Sequence, residues 1–289
     1  MAKESSKITP SSVEPIELSA RQNKAKKVLT LVFIGGFMLA IGWFIADKIF
    51  STPTLPIAPK ISVNTNLSVI YREGKFDIYN VPIAKNGLKL LCTDAQNVPF
   101  RDIKTLKSYL LNRQETLVFA MNAGMYTSDN LPKGLYIENK QTRVALDTAQ
   151  TGFGNFYLMP NGIFAFDDTT AVVLDTKSFQ KQTKQYNFAT QSGPLLVVNN
   201  QINPIFTPES SSLFIRNGVG ISQDGKVIFA ISSQPVNFYV FAALFKEKLQ
   251  CPNALFLDGA ISKMYAPEAN RFDEDGNLGP FVALTQLKH

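Results

Sequence analysis

Residues 28–46 read VLTLVFIGGFMLAIGWFIA, nineteen positions without a charge, and no other segment constrains the chain as strongly. As a helix rising about 1.5 Å per residue, such a run spans roughly 28 Å, enough to cross the hydrocarbon core of a bilayer. It has no polar face, which argues against a helix lying on the core of a folded domain. Arg21, Lys24, Lys26 and Lys27 precede it and only Asp47 and Lys48 follow closely. The positive-inside bias then puts the N-terminus in the cytoplasm and everything beyond the span outside it. The basic region is long, the apolar run exceeds the ~7 to 15 residues of a signal-peptide core, and Phe44 is too large for a cleavage site. An uncleaved signal anchor is therefore expected. The organisation predicted is a cytoplasmic basic tail over 1–27, a transmembrane helix over 28–46, a Pro-rich linker over 47–66 and an exported domain over 67–289. The protein is expected in the inner (plasma) membrane as a single-pass protein, with its C-terminal domain periplasmic.

This topology also accounts for much of the charge. The net charge is +6, and residues 1–27 carry six basic and three acidic side chains, so half of the excess belongs to the tail. No basic run follows Lys27, and no nucleic-acid partner is expected. The only histidine is His289, the last residue, and the only cysteines are Cys92 and Cys251. A Ser-His-Asp triad, a Cys-His pair and an HExxH zinc helix each need an imidazole in a packed site, and two thiols cannot build a four-cysteine zinc or iron-sulfur centre. Carboxylates, Arg or Lys, hydroxyls and amides remain. No cofactor is called for, and a divalent metal on oxygen ligands stays open. In an oxidising compartment Cys92 and Cys251 allow a disulfide, and two buried free thiols are the equal alternative.

The exported domain reads as short strands with explicit turn chemistry. Residues 75–83 and 87–93 look like an early strand pair, and 116–122 (TLVFAMN) like a buried strand. Residues 155–167 read as strand, turn at Pro160-Asn161-Gly162, strand. Residues 194–202 fold back at Asn199-Asn200, and 214–232 turn at Gln223-Asp224-Gly225. Asp102 is placed to cap a helix that turns Ile103, Leu106, Leu110 and Leu111 inward. Asn237 caps another, carrying Phe238, Phe241, Leu244, Phe245 and Leu249 to Cys251-Pro252. The fold class expected is α+β: a single domain of mixed, antiparallel-rich sheet with a few helices, preceded by the one transmembrane helix.

Five segments set polar or glycine-rich sequence against an apolar strand: 122–126, 152–162, 189–194, 216–220 and 257–262. Each also reads as an ordinary turn. Arg216 and Asp258 sit at the ends of strongly apolar runs, where an unpaired charge is costly. Either the two pair with each other, or Arg216 binds an anion and Asp258 works as a carboxylate in a cleft. The acidic run Asp273-Glu274-Asp275 lacks the rest of a calcium-loop pattern and is read as an exposed turn.

The motifs FAMNAGMY, PKGLYIEN, GNFYLMPNGIFAF, FATQSGPLLV, RNGVGIS, VIFAIS and CPNALFLDGAISKMY run in collinear order between 67 and 285. In this the chain resembles the phosphodiester glycosidase family, a bacterial group that also includes the catalytic domain of the mammalian uncovering enzyme. The resemblance implies hydrolysis of a bond between a sugar's anomeric carbon and a phosphodiester, on glycoconjugates outside the cytoplasm such as envelope or exopolysaccharide material. The departing phosphate monoester is already a stable anion with a second pKa of about 6, so a strong proton donor is less necessary than at an ordinary glycoside. On this reading Asp258 acts as nucleophile, base or stabiliser of the oxocarbenium, and Arg216 clamps the phosphate. Asn122, Gly124, Gln191, Ser192, Asn217 and Ser262 line the substrate site. Relatives often carry a histidine in the segment 201–206, where this chain has Asn203, and a glycine where it has Ala260. An amide cannot transfer a proton at neutral pH. The alternative is a non-catalytic glycan-binding or exopolysaccharide-assembly accessory protein that keeps the pocket without the reaction.

Overall fold

A computed structural model of the chain describes residues 68–81, 87–258 and 261–288. The tail, the apolar run and the linker lie outside the described residues. Among the described residues no helix is long and apolar enough to cross a membrane.

Three antiparallel sheets make the fold. The first has seven strands: β1 (Ser68–Tyr71), β2 (Gly74–Val81), β10 (Leu195–Val198), β11 (Gln201–Ile202), β12 (Asn217–Ile221), β13 (Val227–Ser232) and β14 (Asn253–Phe256), in the order β1-β2-β13-β12-β14-β10-β11. The second contains β3 (Leu88–Leu91), β4 (Glu115–Asn122), β15 (Met264–Ala266), β16 (Arg271–Phe272) and β17 (Phe281–Leu287), ordered β16-β15-β4-β17-β3. The third contains β5 (Tyr136–Glu138), β6 (Gln141–Val144), β7 (Gly162–Phe166), β8 (Ala171–Asp175) and β9 (Phe188–Ser192), ordered β6-β5-β9-β7-β8.

Alternation of side chains along each strand divides the core. One face of every sheet meets in a shared interior, where Tyr79 and Phe229 of the first sheet, Phe119 and Met121 of the second and Tyr136, Phe164 and Phe188 of the third pack together. The outer face of the first sheet, with Phe76, Leu196 and Phe256, is covered by α3 (Phe238–Ala243), through Phe241 and Ala242. The outer face of the second is covered by α1 (Ile103–Leu111), and Ile163, Ala165 and Ala189 of the third form a fourth cluster with Leu135 and Tyr186. A short helix, α2 (Thr176–Gln180), follows β8.

Both expected caps form. The Asp102 carboxylate accepts from the Thr105 N–H at 2.6 Å, and the Asn237 side chain accepts from the Val240 N–H at 2.9 Å. Beyond α3 the helix widens into a π turn, Leu244–Lys248, so that Leu249 N–H bonds the Leu244 carbonyl. The turn at Asn199-Asn200 takes left-handed φ values of 47° and 62°, and that at 223–225 closes through Gly225 at φ 80°.

Several expectations are corrected. The antiparallel strands of the expected domain are divided among three sheets, because the chain repeatedly leaves one sheet for another. β2 and β3 do not pair: β2 lies between β1 and β13, and β3 pairs with β17. Residues 155–157 form a 3₁₀ turn and not a strand, and Leu111 is exposed, past the face that α1 buries. Of the two alternatives open for the cysteines, the structure has the free thiols: Cys92 lies in the shared interior and Cys251 in the cluster beneath α3. Burial pushes both up to about 12.

Candidate active site

One end of the fold gathers polar groups from all three sheets. Asn122 ends β4, Ser192 ends β9, Asn217 opens β12, and Asp258 follows β14 by two residues. Each is a polar residue at or just beyond one end of an apolar strand, so the three sheets bring these side chains to one junction.

The hydrogen bonds tie these ends together. The Asn122 amide nitrogen donates to Asp258 Oδ2 at 3.3 Å and to the Ile261 carbonyl at 2.8 Å, and its Oδ1 accepts from the Lys263 N–H at 2.8 Å. Asn217 Nδ2 donates to the main-chain carbonyl of Asn122 at 2.9 Å. Ser262 Oγ bonds the Ile215 carbonyl at 3.1 Å and Asn217 Oδ1 at 3.3 Å, while Ser192 Oγ donates to the Leu257 carbonyl at 2.7 Å. Asn122, Ser192 and Asn217 are fully buried, and Asp258 is 5% exposed. Buried polar groups of this kind need such partners, and the result is a stiff frame around one carboxylate. Gly124 belongs to the frame as well. A Cβ there would stand 2.3 Å from Thr190 Oγ1 and 2.4 Å from the Gln191 carbonyl, so only glycine lets the chain after β4 cross the end of β9.

Two expected members face elsewhere. Arg216 directs its guanidinium to the α3 side of the first sheet, where Nε donates to the Val236 carbonyl at 2.8 Å and Nη2 to the Ser212 carbonyl at 2.9 Å. It stacks on Phe238, 3.6 Å from the ring centroid, and burial lowers its pKa to about 10. Its neighbour Asn217 points to Asn122. Adjacent residues of an extended chain face opposite sides, which separates the two. The Gln191 amide is occupied too: it donates to the Asp147 carbonyl at 2.8 Å and to Thr176 Oγ1 at 3.2 Å, and accepts from the N–H groups of Leu135 and Asp147. Gln191 therefore pins the loop after β6 to the frame from behind.

Asn203, where a histidine was expected from the resemblance, is 1% exposed. Its Nδ2 donates to the Leu195 carbonyl at 2.9 Å, and its Oδ1 accepts from the Ile205 N–H at 3.2 Å. It braces the turn after β11. The acidic run is an ion-paired turn: Asp273 with Arg271, Glu274 with Lys107, Asp275 with Lys263. Among the described residues, no three His, Cys, Asp or Glu side chains come together in a way that could hold a metal ion.

One residue that strand-end reasoning did not single out joins the site. Tyr126 is held well above the usual phenol range, first by burial and then by the charge of Asp258, and its hydroxyl donates to the Asn277 carbonyl at 2.8 Å. It lies in FAMNAGMY, but nothing local to that motif says which acceptor its hydroxyl will meet.

Fold and site together define a β-rich domain with a framed carboxylate at a junction of three sheets. The chain belongs to the phosphodiester glycosidase family, glycosidase-type hydrolases of phosphodiester-linked sugars, whose family model matches residues 115–280, more than half of its length. It is 44% identical over 155 residues to the uncharacterized protein YigE of Escherichia coli (strain K12), a match covering 54% of this chain and 60% of that relative. The fold is similar to the catalytic domain of zebrafish N-acetylglucosamine-1-phosphodiester α-N-acetylglucosaminidase, solved auto-inhibited by its pro-peptide. The TM-score is 0.51 and the identity 15%, over 73% of this chain and 76% of that one.

Proposed function

We propose that this chain hydrolyses a sugar-1-phosphodiester in cell-envelope or exopolysaccharide glycoconjugates, with Asp258 as the acting carboxylate. The observation that carries the reading is the buried Asp258 carboxylate held by the Asn122 amide at the meeting point of the three sheets. Held there, the carboxylate can activate water or stabilise the positive charge that develops at the anomeric carbon. The leaving phosphate monoester departs as an anion, which suits a chain whose one histidine is its last residue. Arg216 is better read as the brace that fixes the start of β12, and so Asn217, than as the phosphate clamp.

The test is turnover of a UDP-sugar by the full chain, followed as release of free sugar. Asp258→Asn keeps the shape and is expected to lower kcat about 10²- to 10⁴-fold. Wild-type rates in that variant would remove Asp258 from the mechanism. Sugar binding without any turnover in the unmodified chain would favour the accessory-protein reading instead.

The location belongs to the same proposal. The uncharged run at 28–46 and the basic residues before it support an anchored, exported domain. Alkaline extraction of membranes should leave the chain in the pellet, and protease added outside the inner membrane should digest the C-terminal domain. Release into the alkaline supernatant, or protection from the protease, would count against it.

A further inference from the structure

A phosphodiester substrate needs a cation, and three basic residues lie on the chain segments around the junction: Lys133, Arg216 and Lys263. Arg216 is held on the α3 side by the Val236 and Ser212 carbonyls, and Lys263 Nζ is taken by Asp275 Oδ1 at 2.8 Å. Lys133 differs from both. Among the described residues no carboxylate pairs with its ammonium and no acceptor takes its protons. The ammonium lies instead over two aromatic faces, 5.1 Å from the Phe156 ring centroid and 4.6 Å from that of Tyr157. The two rings meet edge to face at 5.0 Å, and the Tyr157 hydroxyl donates to Asp147 Oδ2 at 2.9 Å, which fixes the pair.

Backbone contacts put this lysine at the rim of the junction. Its N–H donates to the Met125 carbonyl at 2.8 Å, and Tyr126 bridges to Pro132 beside it. Met125 is three residues beyond Asn122, a span of at most about 10 Å. On the other side, a Cβ on Gly134 would stand 2.7 Å from Phe156 Cζ and 2.5 Å from Gln191 Oε1, and one on Gly193 would stand 2.8 Å from the Phe156 carbonyl. Gly193 follows Ser192, whose hydroxyl holds the Leu257 carbonyl, one residue before Asp258. The aromatic pair is thus seated against the strand end that supports the carboxylate.

We propose that Lys133 binds the phosphate of the substrate, the role that Arg216 does not fill, with Phe156 and Tyr157 holding its ammonium at the rim. This rests on the reading of the chain as a sugar-1-phosphodiester hydrolase. A ring face attracts a cation without occupying its N–H donors, so all three protons of the ammonium remain for a ligand. Phosphate oxygens are acceptors that suit such a compact charge. The Asp147 carboxylate does not compete, since it accepts from the Tyr157 hydroxyl and from the Ala149 N–H. In the reaction the water oxygen bonds to the anomeric carbon and its proton passes to Asp258. The bond from that carbon to the phosphate oxygen breaks, and the electron pair stays on the phosphate. The phosphate gains negative charge in that step, so a cation beside it favours departure as well as binding.

The probe is UDP, the anion that a UDP-sugar would release, titrated into the full chain by calorimetry. Lys133→Gln should weaken UDP binding about tenfold, the loss of one charge-assisted contact, and Lys133→Arg should recover most of it. Asp258→Asn, which removes turnover, should bind UDP at least as tightly as the parent. With a UDP-sugar, Lys133→Gln should raise KM and lower kcat together while the unfolding midpoint stays at the parent's, a split that a merely structural lysine would not give. UDP held equally by the parent and Lys133→Gln, or by neither, would overturn the proposal, whether or not the chain turns over a sugar phosphodiester. Binding that depends on Lys133 in a chain without turnover would support the lysine while removing the hydrolytic reading.

Discussion

At the scale of single residues, position along a strand decides more than residue type. Arg216 and Asn217 are neighbours, yet the extended backbone sends the first to α3 and the second to Asn122. Arg216→Ala should therefore act on stability, leaving two carbonyls without a donor and Phe238 without its stacked partner. A loss on the order of 3 kcal/mol is expected in denaturant unfolding. Activity per folded molecule should stay within a few-fold of the parent, and a collapse in rate with an unchanged unfolding midpoint would return Arg216 to the chemistry. Asp258, Asn122, Ser192, Asn217 and Ser262 were conspicuous in the sequence because each breaks an apolar run, and the structure brings them to one junction. Arg216 and Gln191 were equally conspicuous for the same reason, and nothing local distinguishes a side chain that enters a site from one that braces it. Tyr126 stayed hidden because the acceptor of its hydroxyl, the Asn277 carbonyl, lies in a segment remote along the chain.

At the scale of elements, caps, turns and the two hairpins closed at Asn199-Asn200 and 223–225 were legible, and the pairing of β2 and β3 was not. Asp102, Asn237, Asn199-Asn200 and Gly225 do what their local sequence dictates. The partners of β2 and β3 depend on which sheet each joins, and strand-length patterns carry no such address. The β7–β8 hairpin shows what one turn residue contributes. Burial alone would raise Asp167, but the Lys184 ammonium at 2.9 Å and bonds from Thr169 and Thr170 hold it down at about 2, against an ordinary 3.8. A carboxyl lowered in the folded state stabilises it above the ordinary value, and that contribution disappears as pH falls from about 4 to about 2. Asp167→Ala should flatten the stability profile across that window when thermal midpoints are compared at successive pH values. A slope there equal to the parent's would show that the turn carries no such linkage.

For the whole molecule, the three-sheet interior predicts how the thiols behave. Cys92 is 3% exposed and Cys251 fully buried, in different clusters, so neither should react in the folded chain. Alkylation without reductant should take up two equivalents only under denaturing conditions, at a rate that follows global opening; a mass two units short and no uptake would mean a disulfide. The site also has a temporal aspect. Asn122 and Asp258 are 136 residues apart in the chain, and each is carried by a different sheet. Contacts across such distances form late and slowly, because the loop between them must be closed before the contact can repay it. During synthesis the carboxylate emerges long after the amide that will hold it, so no nascent or C-terminally truncated form should possess the assembled centre. Competence would thus arrive in a single late event and be lost again at the first opening that separates the sheets.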